Sequence, residues 1–235
     1  MKDNIESKNV GNRKFIIELR FNHKVTISDK KGAILENIRA LNLFNPFHWE
    51  IGIANIHIWD AEKNNEARNN VYIELNRFCY VCSKIDSVES FYSNFEKIYS
   101  CFISEIGDLD ILRIGSRIQG TYKTVSDNYD AILDKMKKGF PSQFYLDDYP
   151  TTDLSFHLNY KNGMYIIGPV NNKKDVFVEQ NFAEAYRINH VGIAIDTDNY
   201  LTNEKGAIND KQLIKDTYIL SLSVEKNLFE NLKDL

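Results

Sequence analysis

Cysteine is scarce, with three residues in a chain of 235. So few, and an odd number, cannot form a disulfide framework, and a reducing compartment is the expectation. Proline (4) and glycine (11) are also sparse, which excludes collagen-like and low-complexity chains. No apolar run approaches the roughly 18–20 residues of a membrane-spanning helix, so no membrane association is expected. The opening stretch MKDNIESKNVGNRK is polar where a secretory signal needs an apolar core, which points to a cytoplasmic protein. Neither the phosphate loop G-x-x-x-x-G-K-[ST] nor the dinucleotide motif G-x-G-x-x-G occurs, which counts against a standard nucleotide enzyme.

What is present suits a packed core. Hydrophobic residues make up 43% of the chain and aromatic residues 12%, and the length is enough for one large domain or two small ones. The 29 basic residues face 33 acidic ones, a formal net charge of −4, which argues against a generic nucleic-acid coat.

The chain carries a self-similar string. Thr26-Ile27-Ser28-Asp29 is followed by Ala33-Ile34-Leu35-Glu36, and Thr124-Val125-Ser126-Asp127 by Ala131-Ile132-Leu133-Asp134. The shared pattern reads as a strand end, a Ser/Asp helix cap and a helix whose apolar face opens at Ile34 or Ile132. A strand precedes each: Phe15–Phe21 in the first case and Ile111–Ile118 in the second. Further on, Val71–Leu75 corresponds to Val191–Ile195, both alternating as half-buried strands. Long amphipathic helices follow, one over Val88–Ile106 with an Asp86-x-x-Glu89 capping box, the other over Leu213–Leu232. Glu50–Trp59 supplies one or two more strands, and Leu154–Tyr160 with Met164–Val170 reads as a hairpin around Lys161-Asn162-Gly163.

These elements predict an α+β fold made by internal duplication of a strand–helix–strands–helix unit. The first repeat spans 1–109 and the second 110–235, packed as one compact unit, their antiparallel sheets covered by two long helices. The charge pattern repeats as well: residues 1–40 hold nine basic and five acidic groups, and 113–140 hold six and three. The intervening 41–112 and 141–200 are acidic, with five against eleven and four against eight.

Glu18-Leu19-Arg20-Phe21, the mid-chain Leu112-Arg113-Ile114-Gly115-Ser116-Arg117-Ile118 and Ile195-Asp196-x-Asp198 together resemble a sporadically distributed bacterial and archaeal protein family with two related α+β halves. The resemblance covers nearly the whole chain but departs at Gln119 and Gly120, where the family commonly has an aromatic residue and an Asn. That family has no established activity, so the resemblance implies no catalytic residues; its patchy distribution implies mobile or defence-related loci. The duplicated order also resembles saddle-shaped, TATA-binding-protein-like architectures, an analogy of fold alone.

Several strings suggest chemistry. Cys79-Tyr80-Val81-Cys82 has the C-x-x-C spacing, but on a strand its side chains point to opposite faces, which predicts structural, buried thiols. Asp196-Thr197-Asp198-Asn199-Tyr200 resembles the Asp-x-Asp-x-Thr opening of haloacid-dehalogenase-type phosphotransferases, yet Tyr200 replaces the Thr, and a strand-end turn is expected. Asp147, Asp148 and Asp153 form an acidic loop cluster read as an ordinary exposed connection. The five histidines (His23, His48, His57, His157 and His190) are scattered, with no nucleophile motif beside them. No metal site, cofactor or catalytic residue is therefore assigned.

Arg20 and Arg117 each sit on the first strand of their half, with Arg113 on the same strand as Arg117. Arginines there either pair with the chain's own acidic strands or reach for an external anion. The leading expectation is a non-enzymatic binding or interaction protein, an accessory component of a mobile or defence-related locus, with a protein partner contacted through Arg20, Arg113 and Arg117. The alternatives are a nucleic-acid-binding saddle that uses the basic segments 1–40 and 113–140, and an enzyme with an unfamiliar site.

Overall fold

The computed structural model describes residues 5–139, 151–202 and 211–235. It is an α+β fold around one antiparallel sheet of nine strands in the order β2-β3-β4-β5-β1-β6-β9-β8-β7. The strands are β1 (Val10–Phe21), β2 (His48–Ile51), β3 (Asn55–Trp59), β4 (Asn69–Glu74), β5 (Arg77–Cys82), β6 (Ile111–Tyr122), β7 (Phe156–Tyr160), β8 (Gly163–Asn171) and β9 (Val191–Thr202). The helices are α1 (Thr26–Ala40), α2 (Val88–Ile106), α3 (Tyr129–Lys137), the short α4 (Val176–Asn181) and α5 (Lys211–Leu232). Among the described residues no helix is long and apolar enough to cross a membrane.

Alternation along the central strands gives the sheet two unlike faces. On β1, Phe15, Ile17, Leu19 and Phe21 are buried, while Lys14, Ile16 and Glu18 are half-buried and Arg20 is exposed. The apolar set meets the helices in a core shared by β1, β3–β6, α1, α2 and α5. Helix α2 forms because Phe91, Phe95, Ile98, Phe102 and Ile106 recur at spacings of three and four and are all buried. Aromatic rings link the layers: Phe91 lies 5.3 Å from Phe15 on β1, 5.1 Å from Tyr80 on β5 and 5.5 Å from Tyr218 on α5. Burying each such ring contributes about 1.5–3 kcal/mol.

Helix boundaries differ locally from the sequence reading. The capping box of α2 is made by Ser87 and Ser90, one residue on from the expected Asp86–Glu89 pair. The Ser87 hydroxyl accepts from the Ser90 N–H at 3.0 Å, and the Ser90 hydroxyl accepts from the Ser87 N–H at 3.0 Å. Ser87→Ala should cost about 1 kcal/mol, read as a lowered midpoint of urea unfolding. At the other end Gly107, with φ +72°, closes the helix through its N–H to Ile103. The two repeated strings also fall differently. Thr26–Asp29 form the first turn of α1 with no side-chain cap, whereas Thr124–Asp127 precede α3, which Asn128 caps by accepting from the Ala131 N–H.

Two correspondences change. Val71–Leu75 and Val191–Ile195, matched in sequence, differ in place: Val71–Glu74 run on β4, with β5 between it and β1, whereas Val191–Ile195 run on β9, directly beside β6. Asp196 and Asp198 lie inside the twelve-residue β9 and not in a strand-end turn, because the ladder to β6 continues through Leu201 and Thr202. The expected hairpin is present as β7–β8, with Tyr160 paired to Gly163 around Lys161-Asn162. Of the acidic cluster, Asp147 and Asp148 lie outside the described residues. Asp153 accepts hydrogen bonds from the Tyr129 hydroxyl and the Leu154 N–H.

Between β8 and β9 the chain crosses the face of the sheet away from the core. This strap, residues 172–190, contains α4 and is tied down by the side chains of Lys14 and Gln119, which both bond to Asn181. Near its end the Ile188 N–H donates to Asn12 and His190 bonds to Thr121.

Candidate binding face

The half-buried positions of β1 share the second face with their partners on β5, β6 and β9. Cross-strand register places Arg77, Arg20 and Arg113 in one rung of three adjacent strands. Like charges directly opposite one another repel, and a single carboxylate one rung away resolves the conflict. Glu18 accepts from Arg20 Nε at 2.8 Å and from Arg113 Nη1 at 3.2 Å on Oε1, and from Arg77 Nε at 2.7 Å on Oε2. Burial raises the affinity of Glu18 for a proton, but the bonds from Arg20 and Arg77 outweigh it and hold the carboxyl below its usual range.

The cluster extends across the sheet. Arg77 also reaches Glu74 at 3.0 Å, and Arg113 lies 3.5 Å from Asp198. Arg117 grips Asp196 bidentately at 2.8 and 2.6 Å, and Gln119 donates to the same carboxylate at 3.0 Å. Burial pushes the carboxyl of Asp198 up despite Arg113 and Arg117 nearby. Four arginines thus interleave with four carboxylates, Glu18, Glu74, Asp196 and Asp198.

The four arginines, with Glu18 and Asp198, rim a hollow of about 320 Å³ floored by Ile16, Cys79, Val81 and Gly115. Gly115 lies opposite Glu18 and Tyr200, and the Arg113 guanidinium sits 4.9 Å above the Tyr200 ring. Side-chain exposure grades the cluster, from 57% at Arg20 through 37% at Arg117 to 29% at Arg77 and 27% at Arg113.

The three arginines singled out from sequence therefore lie in one hollow, each paired with the chain's own acidic residues. The sequence reading missed Arg77 and the role of Glu18, Asp196 and Asp198. The i, i+2 spacing of Glu18 with Arg20, and of Asp196 with Asp198, was the available signal, since it puts each pair on one sheet face.

Other singled-out groups lie apart or inert. Cys79 and Cys82 are buried on opposite faces of β5, and burial pushes their thiols up to about 12 and about 11, the reverse of an activated thiolate. His57 stacks between Trp59, at 4.6 Å, and Tyr72, at 4.3 Å, and bonds to Asn70 at 3.1 Å. His157 is on the edge strand β7, and His190 holds the strap's return to β9. Among the described residues no group of three or more His, Cys, Asp or Glu side chains could hold a metal ion.

No protein-family model matches the chain, and no curated protein matches it either.

Proposed function

We propose that this chain is a non-enzymatic binding protein whose second sheet face receives a protein partner carrying charges of both signs. The observation behind this reading is the pairing of all four arginines of the hollow with carboxylates, Glu18 and Asp198 in its lining and Glu74 and Asp196 beside it. A duplex-binding surface needs an excess of cations to displace condensed counterions, and here every arginine of the cluster already has a carboxylate. A mixed-charge polypeptide complements such a ladder, its charges of each sign meeting the opposite sign across the face. Ile16 and Val81 also line the neighbouring hollow under the strap, so an apolar floor runs continuously between the two.

The same reading includes duplication. β1 and β6 are each twelve residues long, lie antiparallel at the centre of the sheet, and are each followed by a helix, further strands and a long helix. Residues 1–109 and 110–235 are the two units in this scheme. The setting in a mobile or defence-related locus follows from the family resemblance alone.

Arg20→Ala tests the binding reading. Its exposed ion pair contributes about 0–1 kcal/mol, so unfolding should shift by no more than that. Affinity for a partner captured from the native host should fall about tenfold or more, measured by titration calorimetry. A salt-sensitive mobility shift with DNA or RNA, lost in Arg20→Ala, would instead move the reading to nucleic acid.

A further inference from the structure

Beneath the strap lies a second, larger hollow of about 740 Å³, enough for a small metabolite, and the side chain of Lys14 lines it. Lys14 is half-buried, and its ammonium nitrogen donates to the Asn181 carbonyl oxygen at 2.7 Å. Among the described residues it forms no ion pair, unlike the four arginines of the neighbouring hollow. Asn70, Tyr72 and Ser83 share the lining and offer hydrogen bonds to an occupant.

We propose that Lys14 is a nucleophilic amine within a ligand hollow, capturing a small aldehyde or ketone as an imine. The inference rests on this cavity and not on the charge ladder, so its failure leaves the protein-partner reading intact. In the reaction the Nζ lone pair attacks the carbonyl carbon, and the C=O π pair moves to oxygen. Both N–H protons end on that oxygen, which leaves as water while the C=N bond forms. The step needs no oxidant or reductant. The amine must be uncharged to attack, and the surroundings favour that form. Burial dominates, Arg117 adds repulsion, Asp196 and Cys79 oppose both, and the net effect pushes the amine down to about 8. The other charged groups facing the hollow are Glu66 before β4 and Glu179, Glu184 and Arg187 on the strap.

The test uses glyoxylate as the probe, with sodium cyanoborohydride to reduce the imine and peptide mapping to locate the label. At pH 7 Lys14 should be labelled about tenfold or more faster than the chain's exposed lysines, because an ordinary lysine titrates near ~10.4. Its rate should be half-maximal near pH 8, level off above that, and saturate with glyoxylate concentration. Lys14→Met should unfold cooperatively and lose the fast label, which separates a lost nucleophile from a lost fold. Labelling of Lys14 no faster than that of exposed lysines would overturn the proposal. A rate strictly linear in glyoxylate would overturn it too, since it would remove the hollow as a binding site.

Discussion

Glu225→Ala is expected to destabilise the protein by about 3–5 kcal/mol, a large share of the roughly 5–15 kcal/mol that stabilises a typical domain. Glu225 is on the α5 face turned toward the sheet, and its side chain is 1% exposed against 5% for its partner Arg13 on β1. The two form a bidentate pair at 2.8 and 2.5 Å, and the Tyr122 hydroxyl on β6 donates to the same carboxylate. One carboxylate thus clamps the C-terminal helix to the two central strands. Removing it takes from the buried Arg13 guanidinium the carboxylate that grips it at two points, and breaking a buried pair by deleting one member costs more than the intact pair contributed. Denaturant unfolding followed by circular dichroism measures the loss. Glu225→Gln, which keeps an acceptor for Tyr122, should fall between wild type and Glu225→Ala. Replacing both members, Arg13→Met with Glu225→Leu, should recover most of the loss, because both charges of the buried pair are then replaced by apolar side chains. A double variant as unstable as Glu225→Ala would assign the effect to packing.

Phe91→Ala is the second large effect, about 3–5 kcal/mol in the same assay. Phe91 is 1% exposed and touches rings from three other elements, Phe15 on β1, Tyr80 on β5 and Tyr218 on α5. Truncation removes the transfer energy of the ring and leaves a cavity between layers that cannot collapse without shifting helix against sheet. Tyr218 also donates to the Val88 carbonyl at 3.1 Å, so the defect lies where α2 and α5 meet. Phe91→Leu, which retains most of the volume, should cost clearly less.

The parts of the fold that alternation and helical spacing encode were legible in the sequence. Phe15–Phe21 of β1, the α2 stripe from Val88 to Ile106 and the β7–β8 hairpin follow from local pattern. Missing were the polar extensions of the two central strands. Asn12 and Arg13 break the alternation expected of β1, and they are buried only because remote partners satisfy them. The Asn12 N–H donates to Thr121 at 2.8 Å, and Arg13 meets Glu225 at the far end of the chain. No local signal reports such pairings, since a buried polar residue looks like a surface one until its partner is known. For the same reason Arg20, Arg113 and Arg117 could be named as notable from sequence, whereas Arg77 could not be joined to them. Only the β1–β5 register brings it into their rung. The strap was invisible for a different reason: residues 172–190 have little periodicity, and side chains of the strands beneath hold them in place.

The central seam shapes how the chain must be made. Phe15 pairs with Ile118 and Val10 with Tyr122, so the two halves of the seam leave the ribosome far apart in time. β5 can cover one flank of β1 early, but the other flank stays open until β6 emerges. A twelve-residue strand with one bare flank is a template for any nascent neighbour with a similar edge. Closing the seam also spends loop entropy before it returns contacts. The join that centres the finished sheet is thus the step at which a growing chain is most exposed to pairing with the wrong copy.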